Sequence, residues 1–418
     1  MKFSEYTIIA KPEQSVDPLG FTQPFGNLRS RLFPQFTVLS NSPVYHGILT
    51  LIYQVLAKKK VTPSQTGFAR FFREAECLWG LANVAAGQSV LNVTKYQAIL
   101  EGRTSLTLAE IGRNNAIFRS LAYGTLGHYS SPSVTWSFLE RGAQRLTPLG
   151  DRLGDAFSTR NKQSLSSALE EWLNGQSIRI SKLEALGKTF GIENPPSRTE
   201  QRVWQDAVQI WRDRTPETRG LWTDPLDEAE LQALRKDAAT YKDFFDHLSD
   251  RYPRLKKLFE QLSRFETMSA ICQFLFQREY LLCHDASKKL PKSGPLEKNL
   301  STMLIKIAQY YTINNIFFDT KSLFYSLSKA LDYKIIPYII IRHHIEHQKS
   351  KNTLPYMEEN GEMIVRERFD RQQFTTLHEE LSHLKTTEAQ LALLTYEYRR
   401  DWHFDRALRY NRYLRGKV

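Results

Sequence analysis

Apolar side chains recur three and four residues apart along most of this 418-residue chain, and that spacing makes the α-helix its main building block. In TGFARFFREAECLWG (66–80), Phe68, Phe71, Phe72, Ala75, Leu78 and Trp79 fall on one broad face. Ser42 and Pro43 suit the start of another helix, Ser as cap and Pro in the first turn. That segment runs through HGILTLIYQVLAKKK and ends on Lys58, Lys59 and Lys60, cations suited to the carbonyl end of a helix. The same spacing predicts helices at 164–174, 179–189, 200–213, 227–240 and 253–283, again through Tyr310, and over 370–414. One short β-like section stands out, Tyr333 to Arg342. The expected fold class is therefore mainly α: a multi-domain helical protein with a small β-hairpin element and a short β section near 333–342.

A chain of this length exceeds one ordinary domain. Breaks are expected at IENPPSR (192–198) and at KKLPKSGPLEK (288–298). The resulting division is 1–94, an aromatic-rich helical region; 95–160, the hairpin-bearing domain; 161–290, a helical and partly acidic middle domain; and 291–418, a helical C-terminal domain with the short β section. A hydrophobic share of 41% with 24% charged residues is that of a globular chain, not a disordered one. No apolar run reaches the length of a membrane span, and the densest, Ile335 to Ile341, is interrupted by Pro337. The opening MKFSEYTIIAKPEQ lacks the apolar core of a signal peptide. Cys77, Cys272 and Cys283 have no metal-ligand or disulfide-framework spacing, so a soluble protein of the reducing cytoplasm is expected.

The net charge is +12, and it is unevenly distributed. Residues 1–150 carry 15 basic and 8 acidic side chains, 151–250 carry 14 and 18, 251–350 carry 16 and 8, and 351–418 carry 12 and 11. Two basic blocks thus flank an acidic one. A polyanionic partner would account for the basic blocks; ordinary scatter in a basic protein is the plainer alternative.

The stretch Thr104–Phe157 is the most informative. SLTLAEIGRNNAIFRSLAYGTLGHYS has a helical pattern anchored on Leu106, Ile111, Ile117, Phe118, Leu121 and Leu126. Trp136–Glu140 then reads as a strand, Arg141-Gly142 as a tight turn and Gln144–Thr147 as a returning strand. TPLGDRLGDAF follows as a helix with Thr147 as N-cap and Pro148 as its first residue. A helix, a short hairpin and LTPLG opening a second helix resemble the second half of winged-helix domains in prokaryotic regulators. The resemblance implies that a helix near Arg113–Leu126 enters a DNA major groove. Arg113, Asn114, Asn115 and Arg119 would then meet base edges or phosphates, and Arg141 and Arg145 on the hairpin would reach phosphate or the minor groove. A winged helix that serves only as a protein-docking module remains the alternative.

A second basic surface is expected in YEYRRDWHFDRALRYNRYLRGKV, where Arg399, Arg400, Arg406, Arg409, Arg412 and Arg415 alternate with Tyr398, Trp402, Phe404, Tyr410 and Tyr413. On a helix this makes an aromatic face flanked by guanidinium groups. Such a face can grip a phosphate backbone and stack on bases, or it can dock on the core with its Arg stems spread over it.

Catalytic patterns are incomplete. His343, Glu346 and His347 match the H-x-x-E-H zinc-hydrolase string, but the expected neighbours are a β-like run and a loop. His378 and His383 in HEELSH are five apart and diverge on a helix. Asp319 and Lys321 have D-x-K spacing, as in half of a metal-nuclease site. Arg278 with His284 and Arg342 with His347 have the loose Arg–His spacing of helical ribonucleases. No phosphate loop, dinucleotide fingerprint or serine-nucleophile elbow is present, so no cofactor is expected.

Residues 1–90, with GFTQPFGNLRSRLFPQFTVLSNSPVYHGILTLIY and a helix carrying Phe72, Arg73 and Glu76, resemble poorly characterised proteins of prokaryotic phage-defence clusters. That implies a multi-subunit defence context. Together these readings lead to a non-enzymatic subunit that binds double-stranded DNA or acts as a scaffold beside other protein subunits, an ATPase or a nuclease among them. The alternatives are a metal-dependent nuclease subunit using Asp319 and Lys321, and a protein–protein adaptor.

Overall fold

The computed structural model describes residues 17–36, 42–63, 67–112, 115, 117, 124–142, 145–161, 163–214, 241–284, 294–313, 321–351, 353, 355–357, 371–398 and 404–416. The protein is mainly α, with two two-stranded antiparallel sheets among these residues. It divides into two compact units, each discontinuous in sequence. One combines residues 1–31 with 229–402; the other combines 32–228 with 403–418.

The unit of 32–228 and 403–418 is built around helix Val44–Lys58, which is buried on nearly every side. Helix Pro148–Ser158 lies against it, and the contact is close because Gly47 sits under the Phe157 ring: a Cβ there would come 2.7 Å from the ring. Helices Phe68–Ala85 and Ile180–Phe190 approach in the same way, with Gly187 against the Ala82 carbonyl. Their register is pinned by Trp79 Nε1, which donates to the Phe190 carbonyl at 2.8 Å. Trp172 Nε1 makes the equivalent bond to the Glu74 carbonyl, so both indoles bury their rings and still satisfy their N–H groups. Ser105–Leu106 pairs with Ile178–Arg179, and Thr159–Arg160 with Gln163–Ser164.

Three buried polar clusters tie this unit together. Arg73 Nη1 bonds Glu76 Oε2, and Glu76 Oε1 accepts from the backbone N–H of Thr125 at 2.6 Å, placing a carboxylate at the start of helix Thr125–Thr135. Arg160 grips Glu200 through both carboxylate oxygens, and Tyr413 donates to the same carboxylate at 2.9 Å. Burial opposes the Arg160 charge, but Glu200 outweighs it and raises its pKa. His46 is fully buried, with Nδ1 2.7 Å from Ser133 Oγ and Nε2 3.0 Å from Tyr410 Oη. Tyr129, Phe138 and Trp204 surround its ring, and burial lowers its pKa to about 3, which keeps it neutral.

The unit of 1–31 and 229–402 has the 29-residue helix Lys256–His284 as its axis. Helices Tyr241–Arg251, Pro295–Ile313, Ile336–Ser350, Arg371–His383 and Thr387–Glu397 pack against it. Phe21 and Phe25, leading into and within helix Thr22–Leu32, contact Phe265 at ring distances of 6.0 and 6.5 Å. Glu297 is a shared acceptor in this core, bonded by Arg278 Nε at 3.1 Å and by His378 Nε2 at 3.0 Å.

The run expected as a β section, Tyr333 to Arg342, is helical: a 3-10 turn Tyr333–Ile335 leads into helix Ile336–Ser350. Asp332 caps the turn through its bond from the Lys334 N–H, and Pro337 sits in the first helical turn, where its missing N–H costs nothing. Ile336, Ile340, His343 and His344 then form the buried stripe, a helical spacing hidden within a run of β-branched residues. The expected helix 227–240 lies outside the described residues.

Candidate nucleic-acid interface

The expected hairpin exists in reduced form. Helix Thr125–Thr135 ends at Trp136, so Trp136 is a helix cap rather than the start of a strand. Pairing is confined to a bridge between Leu139 and Leu146, with backbone bonds from Glu140 N–H to the Arg145 carbonyl and from Thr147 N–H to the Phe138 carbonyl. Gly142 takes the turn with φ +83°. Thr147 joins the hairpin to the helix that follows: its hydroxyl donates to the Ser137 carbonyl and accepts from the Gly150 N–H at 3.0 Å, while Pro148 occupies the first turn. Gly150 abuts the Phe138 carbonyl so closely that a Cβ would lie 2.1 Å from it. The hairpin base is therefore rigidly seated.

Arg141 and Arg145 are both exposed on this hairpin, and neither forms an ion pair among the described residues. They border two different clefts. Arg145 lines one of about 680 Å³ with Tyr53, Ala57, Phe68 and Asp151. Arg141 lines another of about 640 Å³ with Ser131, Thr135 and Thr147.

The remaining candidates are placed differently. Asn115 turns its amide inward, accepting from the Ile117 N–H at 3.0 Å, and so is spent on its own turn rather than offered to a base edge. The preceding helix, Leu108–Ile111, opens on a Thr107–Glu110 capping box and stops at Gly112. Arg113, Asn114, Arg119, Arg399 and Arg400 lie outside the described residues. Arg409 is exposed on helix Phe404–Leu414, but Tyr410 and Tyr413 of the same helix are buried with bonded hydroxyls. These two tyrosines dock on the core and are not a stacking surface.

The zinc-like string is used for another purpose. His344 accepts the Tyr356 N–H at Nε2, so its Nδ1 carries the proton and donates to the Pro18 carbonyl at 2.7 Å. His343 Nε2 donates to the Leu19 carbonyl at 3.0 Å, and Gln348 reaches the Asp17 and Pro18 carbonyls. Glu346 pairs with Arg342. Among the described residues no group of three or more His, Cys, Asp or Glu side chains is arranged to hold a metal ion. Arg278 is buried on Glu279 and Glu297, away from solvent. Asp319 lies outside the described residues, as does the side chain of Lys321.

Sequence reasoning passed over Tyr53, Gln54 and Asp151. The signal for the first two was available: polar residues in a helix apolar on nearly all sides must be either bonded internally or facing a ligand. Gln54 is bonded, donating to the Asp151 carbonyl and to Asp155. No helix among the described residues is long and apolar enough to cross a membrane. Compared with protein-family models, curated proteins and solved structures, this chain has no match.

Proposed function

We propose that this protein is a nucleic-acid-engaging subunit of a larger assembly, with the 139–146 hairpin as its contact to the phosphate backbone. The observation that carries the reading is the pair Arg141 and Arg145: exposed, without ion-pair partners among the described residues, and mounted on a hairpin locked at its base by Thr147 and Gly150. Guanidinium groups on a fixed support lose little freedom when they meet phosphate, whereas on a mobile loop the same contacts would cost ordering entropy. The excess of basic residues in 1–150 points the same way. On this reading helix Pro148–Ser158 and the hairpin before it form the second half of a winged-helix element, and the role is binding or scaffolding rather than catalysis. The setting proposed for such a subunit, a prokaryotic defence complex, is supported by the resemblance of residues 1–90 to phage-defence proteins.

The test is binding to random duplex DNA across a salt series, comparing wild type with Arg141→Ala/Arg145→Ala. Two lost phosphate contacts should lower the slope of log affinity against log salt by about 2. Absence of binding at low salt would overturn the reading and leave a protein-docking role.

A further inference from the structure

Tyr53, which lines the cleft beside the hairpin, is 5% exposed and carries a buried hydroxyl that has no hydrogen-bond partner among the described residues. A buried, unpaired hydroxyl is costly, and folded proteins rarely leave one without a reason. Here the hydroxyl belongs to a residue lining a cleft of about 680 Å³, well within the size range of small-molecule sites. Ala57, Val61, Pro63 and Phe68 supply apolar wall, while Asp151 and Arg145 bring opposite charges. Burial also raises the pKa of the Tyr53 phenol, so it stays protonated and can both donate and accept.

This combination fits a flat group with apolar faces and a polar edge. We propose that the cleft takes an unpaired nucleobase from a strand whose phosphates lie along the hairpin. The inference rests on the nucleic-acid reading above and names the substrate class: strands with an extruded or single-stranded base. The base faces would lie against Phe68, Val61 and Pro63, and its edge would meet the Tyr53 hydroxyl and the Asp151 carboxylate, an acceptor for a base N–H. Asp151 repels phosphate from the cleft, and Arg145, exposed at the hairpin, attracts it there. A base within an intact duplex is stacked and cannot enter without being flipped out, so the cleft discriminates by strand state.

The experiment measures binding of three DNA probes by fluorescence anisotropy: an intact duplex, the same duplex with one unpaired base, and that duplex with an abasic site in place of the unpaired base. Wild type is compared with Tyr53→Phe and with Ala57→Phe, which narrows the cleft from an exposed position on helix Val44–Lys58. The expected result is about tenfold tighter binding of the unpaired-base probe than of the abasic probe, since a base on an aromatic wall contributes on this scale. Ala57→Phe should abolish that preference and Tyr53→Phe should reduce it, with intact-duplex affinity unchanged in both. Equal binding of the unpaired-base and abasic probes by wild type, with salt-sensitive duplex binding intact, overturns the inference and leaves the nucleic-acid reading standing. Failure to bind any of the probes at low salt overturns both.

Discussion

The two units hold a distant segment of chain in opposite ways. In the unit of 1–31 and 229–402, the turn Asp17–Gly20 is held by its backbone: His343, His344 and Gln348 donate to the carbonyls of Leu19, Pro18 and Asp17. In the unit of 32–228 and 403–418, helix Phe404–Leu414 is held by its side chains: the Tyr410 hydroxyl meets His46 and the Tyr413 hydroxyl meets Glu200. A carbonyl clasp depends on which residues do the holding and, at Pro18 and Leu19, scarcely on which are held, because every residue has a carbonyl. Asp17 and Gly20 are specified separately, Asp17 by accepting the Phe21 and Thr22 N–H groups and Gly20 by its φ of +70° and the His347 ring against it. A hydroxyl clasp depends on both. Histidine serves each, and in each it must be neutral to fit its surroundings.

Acid should have the largest effect, and it should distinguish the two clasps. Burial lowers the folded pKa of His46 to about 3 and of His344 to about 4, from an ordinary value near 6.5. The unfolded chain therefore binds protons first, and stability present above pH 6.5 is lost as pH falls, down to about 3 for His46 and about 4 for His344. Denaturant melts of His46→Gln and His344→Gln against wild type across that window should show flatter pH dependence. A His46 resonance titrating near 6.5 in folded protein would refute the account of the hydroxyl clasp.

Glu200→Ala comes next. It leaves the Arg160 guanidinium buried without its carboxylate and should cost about 3–5 kcal/mol in urea unfolding; a loss under 1 kcal/mol would mean that solvent reaches the pair. His344→Ala removes the donor to Pro18 and the acceptor of Tyr356, with an expected cost of about 2–3 kcal/mol and faster amide exchange at Phe21 and Thr22. Tyr410→Phe leaves His46 Nε2 unpaired for about 1–2 kcal/mol, read as a lower melting temperature. The smallest effect sharpens the contrast most. Pro18→Ala keeps the carbonyl that His344 uses, so it should change stability by no more than about 0.5 kcal/mol, and a larger loss would show that the held side chain matters after all.

How much of this was readable in advance varies by element. Helices Leu165–Leu173, Ile180–Phe190 and Arg198–Arg214 fall within two residues of their expected bounds, because apolar spacing, caps and the Pro-rich break after Gly191 are all local signals. Thr147 and Pro148 likewise marked the start of their helix directly. Tyr333 to Arg342 reads as β in the sequence because β-branched isoleucines satisfy either period over so short a span, and only packing of Ile336, Ile340 and His344 selects the helix. In the candidate site, the exposure of Arg141 and Arg145 follows from a turn that composition already indicated. Tyr53 and Asp151 are 98 positions apart in sequence, and no pattern links them.

Sequence alone, then, determined the helical class, the hairpin turn and which residues carry charge, since each depends on neighbours a few positions away. Tertiary structure decided that residues 17–20 belong with 343–348, that Tyr410 and Tyr413 are core rather than a binding face, and that His343 and His344 donate to the backbone carbonyls of Leu19 and Pro18. These outcomes turn on contacts between segments hundreds of residues apart. The same imidazole or phenol can serve as ligand, stacking surface or core, and what settles the choice is the group the fold places beside it.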